Sequence, residues 1–302
     1  MSTRISFEKS SGKYSCEIDG NAFKTSKKDY IEYMYKKITG VKKSYDEIAG
    51  AIEPSVSTKF EINTRFDFVE KLVNMVASNV QASAVITGQG GLGKTFTVLN
   101  TLAKAGYKDM SDLSDVEVGT RINRAKVFVQ VKGYSTAKGL YRTLFENNDS
   151  VIVFDDCDAV LKDPVALNLL KGALDSYGKR IISWNADMRD EDLPRSFNFT
   201  GRVIFISNLD QSAIDQAIRS RSMMIDLTMT EDQKIDRMSH IVKSEEFMSE
   251  FAMTEKLDAL ALIRELKNAA KEINLRTLIQ VTKIRASAGQ DWKSMAEYIL
   301  CN

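Results

Sequence analysis

Residues 84–95 read Ala84-Val85-Ile86-Thr87-Gly88-Gln89-Gly90-Gly91-Leu92-Gly93-Lys94-Thr95. Four residues of a short apolar strand run into the pattern G-x-x-x-x-G-K-[ST], which is met in full from Gly88 to Thr95. The chemistry explains the composition. Glycines let successive backbone N–H groups turn inward around an anion. The helix expected from Lys94 to Ala105, ended by Gly106, adds the positive end of its dipole. Lys94 reaches toward β- and γ-phosphates, and the Thr95 hydroxyl suits a magnesium ion. A strand before and a helix after are the context this loop requires, so an accidental Gly-rich turn is the weaker reading.

On either side of this loop, strand and helix patterns alternate. Arg65 to Ser78 has apolar residues at helical spacing (Phe66, Val69, Val73, Val76). Beyond the loop come strands at Val127–Val131, Val151–Phe154, Ile181–Trp184, Val203–Ile206 and Met223–Leu227. Helices at Thr136–Glu146 and Pro164–Tyr177 lie between them. Such alternation predicts an α/β fold, a parallel sheet covered by helices on both faces. After Thr230 strand signals cease, and residues 231–300 predict three or four helices forming a lid. At the other end, Arg4 to Phe23 alternates and turns near Ser11-Gly12 and Asp19-Gly20, Lys27–Ile38 reads as a helix stopped by Gly40, and 41–60 contain Gly50, Pro54 and several serines, as a linker does. Three parts follow: a small basic α+β module with linker at 1–55, an α/β nucleotide-binding domain at 56–229 and a helical lid at 230–302.

Bulk properties exclude several classes. With 43% hydrophobic and 27% charged residues the composition is that of an ordinary globular protein. No run of eighteen apolar residues occurs and the start lacks an apolar signal core, so no membrane partner and a cytoplasmic location are expected. Cys16, Cys157 and Cys301 are far apart and odd in number, which predicts free thiols and no zinc spacing. The single histidine, His240, reads as a helix-surface residue, so His-based catalysis is a poor candidate. A net charge of +1 gives no global field for nucleic acid. Locally, residues 1–45 carry ten Lys and Arg against five acids, interleaved with Phe7, Tyr14, Phe23, Tyr30, Tyr33 and Tyr35. That mixture suits single strands, although Tyr30, Ile31, Met34 and Ile38 also fall at the spacing of a helix core.

Val151-Ile152-Val153-Phe154 ends in Asp155-Asp156. A carboxylate there can sit beside Thr95 and bind magnesium through water, and the next can polarise an attacking water. The same pair could simply cap a strand end, and Asp158 reads as a solvated helix cap. The order of phosphate loop, Asp-Asp strand, Asn-ended strand, Arg pair and helical lid resembles the AAA+ ATPases over roughly residues 60–300. The resemblance implies ATP and Mg2+ as ligands, with Gly88, Gly90, Gly91, Gly93, Lys94, Thr95 and the following Phe96 around the nucleotide. It makes Thr95 and Asp155 the metal residues and Asp156 the residue that polarises water.

Val203-Ile204-Phe205-Ile206-Ser207-Asn208 is similar to the family's sensor 1 strand, with Asn208 holding water or γ-phosphate. Ala217-Ile218-Arg219-Ser220-Arg221-Ser222 resembles its arginine-finger segment, Arg221 fitting better and Arg219 being the alternative; surface salt bridges are the other reading. Asn274-Leu275-Arg276-Thr277 resembles sensor 2, with Arg276 on the γ-phosphate. A finger acting on a neighbour implies a ring of identical subunits, a hexamer being the expected size. Asp156 departs from the pattern of the family it resembles, in which many members carry Glu; Asp is about 1.5 Å shorter in reach, and slow hydrolysis would follow unless the backbone compensates.

The resemblance leaves the substrate open. Lys132 and Tyr134, between a strand and a helix, could grip a polypeptide or stack on a base, or form an ordinary loop. The tip Asp187-Met188-Arg189-Asp190-Glu191-Asp192 has four acids against one Arg and would repel phosphates. Nucleic acid or a nucleoprotein complex, as for helicases and helicase loaders, is the leading expectation. A threading motor using Tyr134 and a slow ATP-gated assembly switch are the rivals. The compact architecture is also similar to small ATPases of phage or plasmid type.

Overall fold

The computed structural model describes residues 3–8, 13–45, 48, 59–111, 124–133, 135–176, 178–185 and 193–302. The Ser11-Gly12 turn, Gly50 and Pro54 of the linker, Tyr134 and the acidic tip at 187–192 lie outside them. The chain separates into two compact units, Met1–Ser57 and Thr58–Asn302.

In the first unit three antiparallel strands, β1 (Thr3–Glu8), β2 (Lys13–Ile18) and β3 (Asn21–Thr25), are followed by helix α1 (Lys28–Thr39). Asp19 and Gly20, both at positive φ (48° and 83°), make the turn between β2 and β3. Ile18, Tyr35 and Ile48 form the core, with Phe23 and Ile38 packed against it. Gly40 ends α1 in the left-handed conformation, its N–H donating to Lys36 O. Within α1 the core reading holds for Ile31 and is corrected for Tyr30, which is 44% exposed. A 100° step per residue carries position 30 off the stripe that Ile31 and Tyr35 bury.

The second unit is built on a six-stranded parallel sheet of order β11-β4-β10-β7-β6-β5. Its strands are β4 (Ser83–Thr87), β5 (Lys108–Asp109), β6 (Val127–Lys132), β7 (Val151–Asp155), β10 (Arg202–Ile206) and β11 (Met223–Asp226). Residues of β4, β7 and β10 are buried throughout, which is why these strands read as unbroken apolar runs. Alternation divides them between two layers. Ala84, Ile86, Val153 and Ile204 face α2 (Ile62–Ala77) and α3 (Lys94–Lys104). Val85, Ile152, Phe154 and Phe205 face α4 (Ala137–Glu146), α5 (Pro164–Ala173) and α6 (Gln216–Arg221). Phe154 and Phe205, side by side on neighbouring strands, stack at 5.3 Å between centroids.

Two expectations need correction. The strand read at Ile181–Trp184 does not join the parallel sheet: β8 (Ile181–Ser183) pairs antiparallel with β9 (Ser196–Asn198) in a two-stranded ribbon. Its pattern is half-exposed, buried only at Ile182, unlike a central parallel strand. The helix read to Tyr177 ends at Ala173, with Leu174 as its cap. The edge strand β5, two residues long, carried too little pattern to read.

The remaining helices, α7 (Glu231–Ile241), α8 (Met253–Glu265), α9 (Leu275–Ser287) and α10 (Trp292–Cys301), share their own core of Met238, Ile263, Leu278, Val281 and Ala296 among others. His240 is exposed near the end of α7. Two arginines, the buried Arg65 of α2 and the half-buried Arg237 of α7, join α2 to the helices that follow β11. Arg65 donates to Asp226 O (3.2 Å), Thr228 O (2.9 Å) and Gln233 Oε1 (3.2 Å). Gln233 and Thr230 complete a capping box at the start of α7. Arg237 lies 3.7 Å over the Phe66 ring and donates to Asn63 Oδ1. Among the described residues no helix is long and apolar enough to cross a membrane.

Candidate functional site

The carboxyl ends of β4, β7 and β10 lie side by side, Ile86 beside Ile206 and Ile206 beside Asp155. In open α/β sheets this edge is where ligands sit. The phosphate loop leaves β4 here with Gly88, Gly91 and Gly93 at φ 134°, 72° and 90°. A Cβ on Gly88 would come within 2.9 Å of the Leu227 carbonyl carbon, and one on Gly91 within 2.9 Å of Asn274 Cγ. The loop therefore needs glycine for conformation and for space. Helix α3 starts at Gly93 with no side-chain cap, whereas Thr136, Asp163 and Thr230 cap α4, α5 and α7. Its first-turn N–H groups thus have no protein oxygen at a cap, the condition under which a helix start receives an anion.

Lys94 is 5% exposed. Its ammonium donates to Gly88 O (2.6 Å), Gln89 O (2.7 Å) and Asn208 Oδ1 (2.9 Å). Burial pushes its pKa from 10.5 down to about 8, against the opposing pull of Asp156, Asp155 and Asp158, and the Arg276 charge adds to the push. Asn208 bridges cation and carboxylate, since its Nδ2 donates to Asp156 Oδ1 at 2.8 Å. Thr95 Oγ1 donates to Asp155 Oδ1 at 2.8 Å. Thr95 and Asp155 are thus a ready pair of hard oxygen ligands, and they fit a magnesium ion that takes its other ligands from phosphate and water.

Asp156 sits just past β7 at φ 55°, with its N–H still donating to Ile206 O (3.1 Å) on β10. Asp and Asn tolerate this left-handed backbone better than longer side chains do. That gives a physical reason for Asp at a position where the resemblance led one to expect Glu.

The start of α9 closes one side of the site. Leu275 N donates to Gly91 O at 2.8 Å, and the buried Asn274 packs on Gly91 while its Oδ1 caps α9 through Thr277 N. Arg276, exposed in the first turn of α9, lines a cleft of about 220 Å³ together with Phe96, Lys94, Asp156, Asn208 and Ile279. Phe96 is 63% exposed there.

The other expected residues fall elsewhere. Lys132 ends β6 at the same sheet edge, its Cα paired with Asp155. Tyr134 lies outside the described residues. Arg219 and Arg221 are at the far end of the sheet: Ser83, the first residue of β4, donates its hydroxyl to Arg221 O. A five-residue strand separates them from the loop by roughly 15 Å, so neither serves its own chain's phosphate loop. Arg221 is half-buried and donates to Ala217 O of its own helix, while Arg219 is the exposed one. Asp158 is not a solvated cap; it accepts from Ser207 Oγ at 2.6 Å and braces the turn that carries Asn208. The reason is tertiary, because β10 brings Ser207 beside it.

One residue was missed. Gln130 of β6 donates to the second oxygen of Asp155 at 2.9 Å. Its signal was a polar side chain inside an otherwise apolar strand, which calls for a buried partner.

No protein-family model matches the chain. A protein of Enterobacteria phage T4, described as an uncharacterized 36.7 kDa protein in the nrdC-mobD intergenic region, is 28% identical over 305 residues, covering 94% of this chain and 86% of its own length. Among solved structures, NtrX from Brucella abortus in complex with ADP aligns at 13% identity and a TM-score of 0.48, over 87% of this chain and 56% of that one. Its ATP complex aligns with the same figures. The AAA domain of FIGL-1 in complex with ADP aligns at 14% identity and a TM-score of 0.38, over 83% of this chain and 78% of that one. The chain thus spans little more than half the length of the NtrX chains. At these values the reading of the site rests on the strand order and geometry above.

Proposed function

We propose that this chain, whose fold and phosphate loop resemble those of the AAA+ ATPases, binds and hydrolyses ATP and couples that cycle to remodelling of a macromolecule, with nucleic acid or a nucleoprotein complex as the leading substrate. The observation that carries the ATPase reading is the continuous run Lys94–Asn208–Asp156 beside Thr95–Asp155 on one sheet edge.

In this reading the loop N–H groups and Lys94 hold the phosphates. Thr95 and Asp155 would hold Mg2+, which supplies charge neutralisation when bound. Gln130 keeps Asp155 aimed at Thr95. Asp156 orients the attacking water, and Asn208 fixes the carboxylate that does so. Water oxygen bonds to the γ-phosphorus, the bond to the bridging oxygen of ADP breaks, and the water proton passes to Asp156 or to phosphate. Arg276 approaches the γ-phosphate from the lid.

The finger would act in trans from the far sheet end of a neighbouring subunit in a ring, a hexamer being the expected size. Of the two candidates Arg219, by its exposure, suits reaching across a seam better than Arg221. Domain limits at about 55 and 230 would separate the module, the nucleotide domain and the lid. One observation favours a slow switch as a second reading: Asp156, short in reach, is itself held by Asn208. The threading motor has no comparable support.

Steady-state ATPase with and without single-stranded nucleic acid, duplex DNA and an unfolded polypeptide tests the proposal. Stimulation of at least severalfold by a nucleic acid is expected. Stimulation by the polypeptide alone would replace the substrate class. Nucleotide-dependent assembly with very slow turnover under every condition would replace the motor by the switch.

A further inference from the structure

Helix α1 of the first unit has a face that its own core does not use. Ile31 and Tyr35 are buried, whereas Tyr30 and Tyr33 are 44% and 57% exposed. Three rings are spaced in a row: Phe23 to Tyr30 at 5.9 Å between centroids and Tyr30 to Tyr33 at 6.1 Å, the last two tilted by only 33°. Exposing two tyrosines so close together gains nothing for folding.

The charges around them are biased. Residues 27–43 hold six lysines against Asp29 and Glu32. Glu32 is already engaged, accepting the Tyr45 N–H at 2.6 Å. Lys36 and Lys37 are exposed beside Tyr33, and Lys27 and Lys28 begin the helix. Aromatic faces that accept any base, set among cations that accept phosphates, are the two parts of a sequence-tolerant single-strand site. A duplex keeps its bases stacked and offers them nothing to stack on.

We propose that the exposed face of α1, Tyr30 and Tyr33 flanked by Lys27, Lys36 and Lys37, binds single-stranded nucleic acid, the bases stacking on the rings and the phosphates meeting the lysines. The surface deepens the nucleic-acid reading above, yet its binding requires no nucleotide hydrolysis.

Fluorescence anisotropy of the full chain with labelled oligo-dT and oligo-U, without ATP, tests it. A single strand should bind more tightly than a duplex of equal length, and the two oligonucleotides distinguish DNA from RNA. Tyr33→Ala should weaken binding about tenfold and Tyr33→Phe leave it within about twofold. Lys36→Gln with Lys37→Gln should reduce the slope of log affinity against log salt by about 1.4. Thermal melts guard against misfolding, since all four side chains are exposed. Absence of single-strand binding at about 50 mM salt, tighter binding of the duplex, or unchanged affinity in Tyr30→Ala/Tyr33→Ala would overturn the assignment. Single-strand-stimulated ATPase that survives in this double variant would spare the proposed function and sink the surface. Binding that depends on the tyrosines but never stimulates ATPase would do the reverse.

Discussion

Lys94 and Arg202 are buried cations at opposite ends of one sheet, 5% and 6% exposed. Each is surrounded by oxygens. Arg202, the first residue of β10, donates to Ala77 O (3.1 Å), Tyr107 Oη (3.0 Å), Asp149 O (3.0 Å) and Ala125 O (3.5 Å). Three of these four are backbone carbonyls at the ends of helices, strands or turns, so the guanidinium staples the amino end of the sheet. Lys94 has two loop carbonyls and one exposed amide, Asn208, with three carboxylates close by. An ammonium on a flexible stem can exchange such partners for phosphate oxygens, whereas a planar fork fixed on four acceptors cannot. The same burial therefore serves structure at one end and ligand exchange at the other.

Substitution at both ends is the severest test of that contrast. Lys94→Ala should lower ATP affinity by at least a hundredfold while the melting temperature stays within a few degrees; retained micromolar binding by calorimetry would remove Lys94 from the site. Arg202→Leu should do the opposite. It strands four oxygens and should cost about 3 kcal/mol, a fall of roughly 10 °C in melting temperature, with the nucleotide affinity of the folded protein kept. If Arg202→Leu instead abolished binding and left stability alone, the division between the two ends would fail.

Asp156→Asn comes next. Asn suits the same left-handed backbone, so the fold should be untouched and turnover should fall about a hundredfold with ATP still bound. Normal turnover would take Asp156 out of the reaction. Gln130→Leu releases one oxygen of Asp155, and the Mg2+ concentration for half-maximal turnover should rise about tenfold; an unchanged metal titration would leave Gln130 a packing residue.

The smallest effect concerns protons. A phosphate partner raises the pKa of Lys94 from its value of about 8 in the protein alone. Below that pH the lysine is charged before and after binding; above it, binding must take up a proton. ATP affinity should therefore fall as pH rises through about 8, by up to about tenfold per unit. Calorimetry in buffers of different ionisation enthalpy reads the uptake directly, and a flat profile to pH 9 would show that Lys94 stays protonated throughout.

Much of this was legible without coordinates. Val151–Phe154 and Val203–Ile206 announced buried parallel strands because both of their faces are covered, and Gly88–Thr95 announced its loop because few other residue types can adopt it. Ile181–Trp184 misled because so short a run, Ile-Ile-Ser-Trp, looks the same in a central strand and in a side ribbon. Asp158 misled because its partner, Ser207, is 49 residues away and is brought alongside only by strand pairing.

The phosphate loop, the Asp155-Asp156 strand end, the Asn208 strand end and the run of helices after Thr230 follow from residue order alone, since each is a local pattern of residue type and period. Which groups meet was left to the packed fold. It seated Asn274 on Gly91, gave Asp155 a second partner in Gln130, carried Arg219 and Arg221 to the far end of the sheet and left Tyr30 and Tyr33 outside their own core. The reason is that hydrogen bonds and stacking depend on distances between residues remote in the chain, and those distances exist only once strand order and helix packing have been chosen.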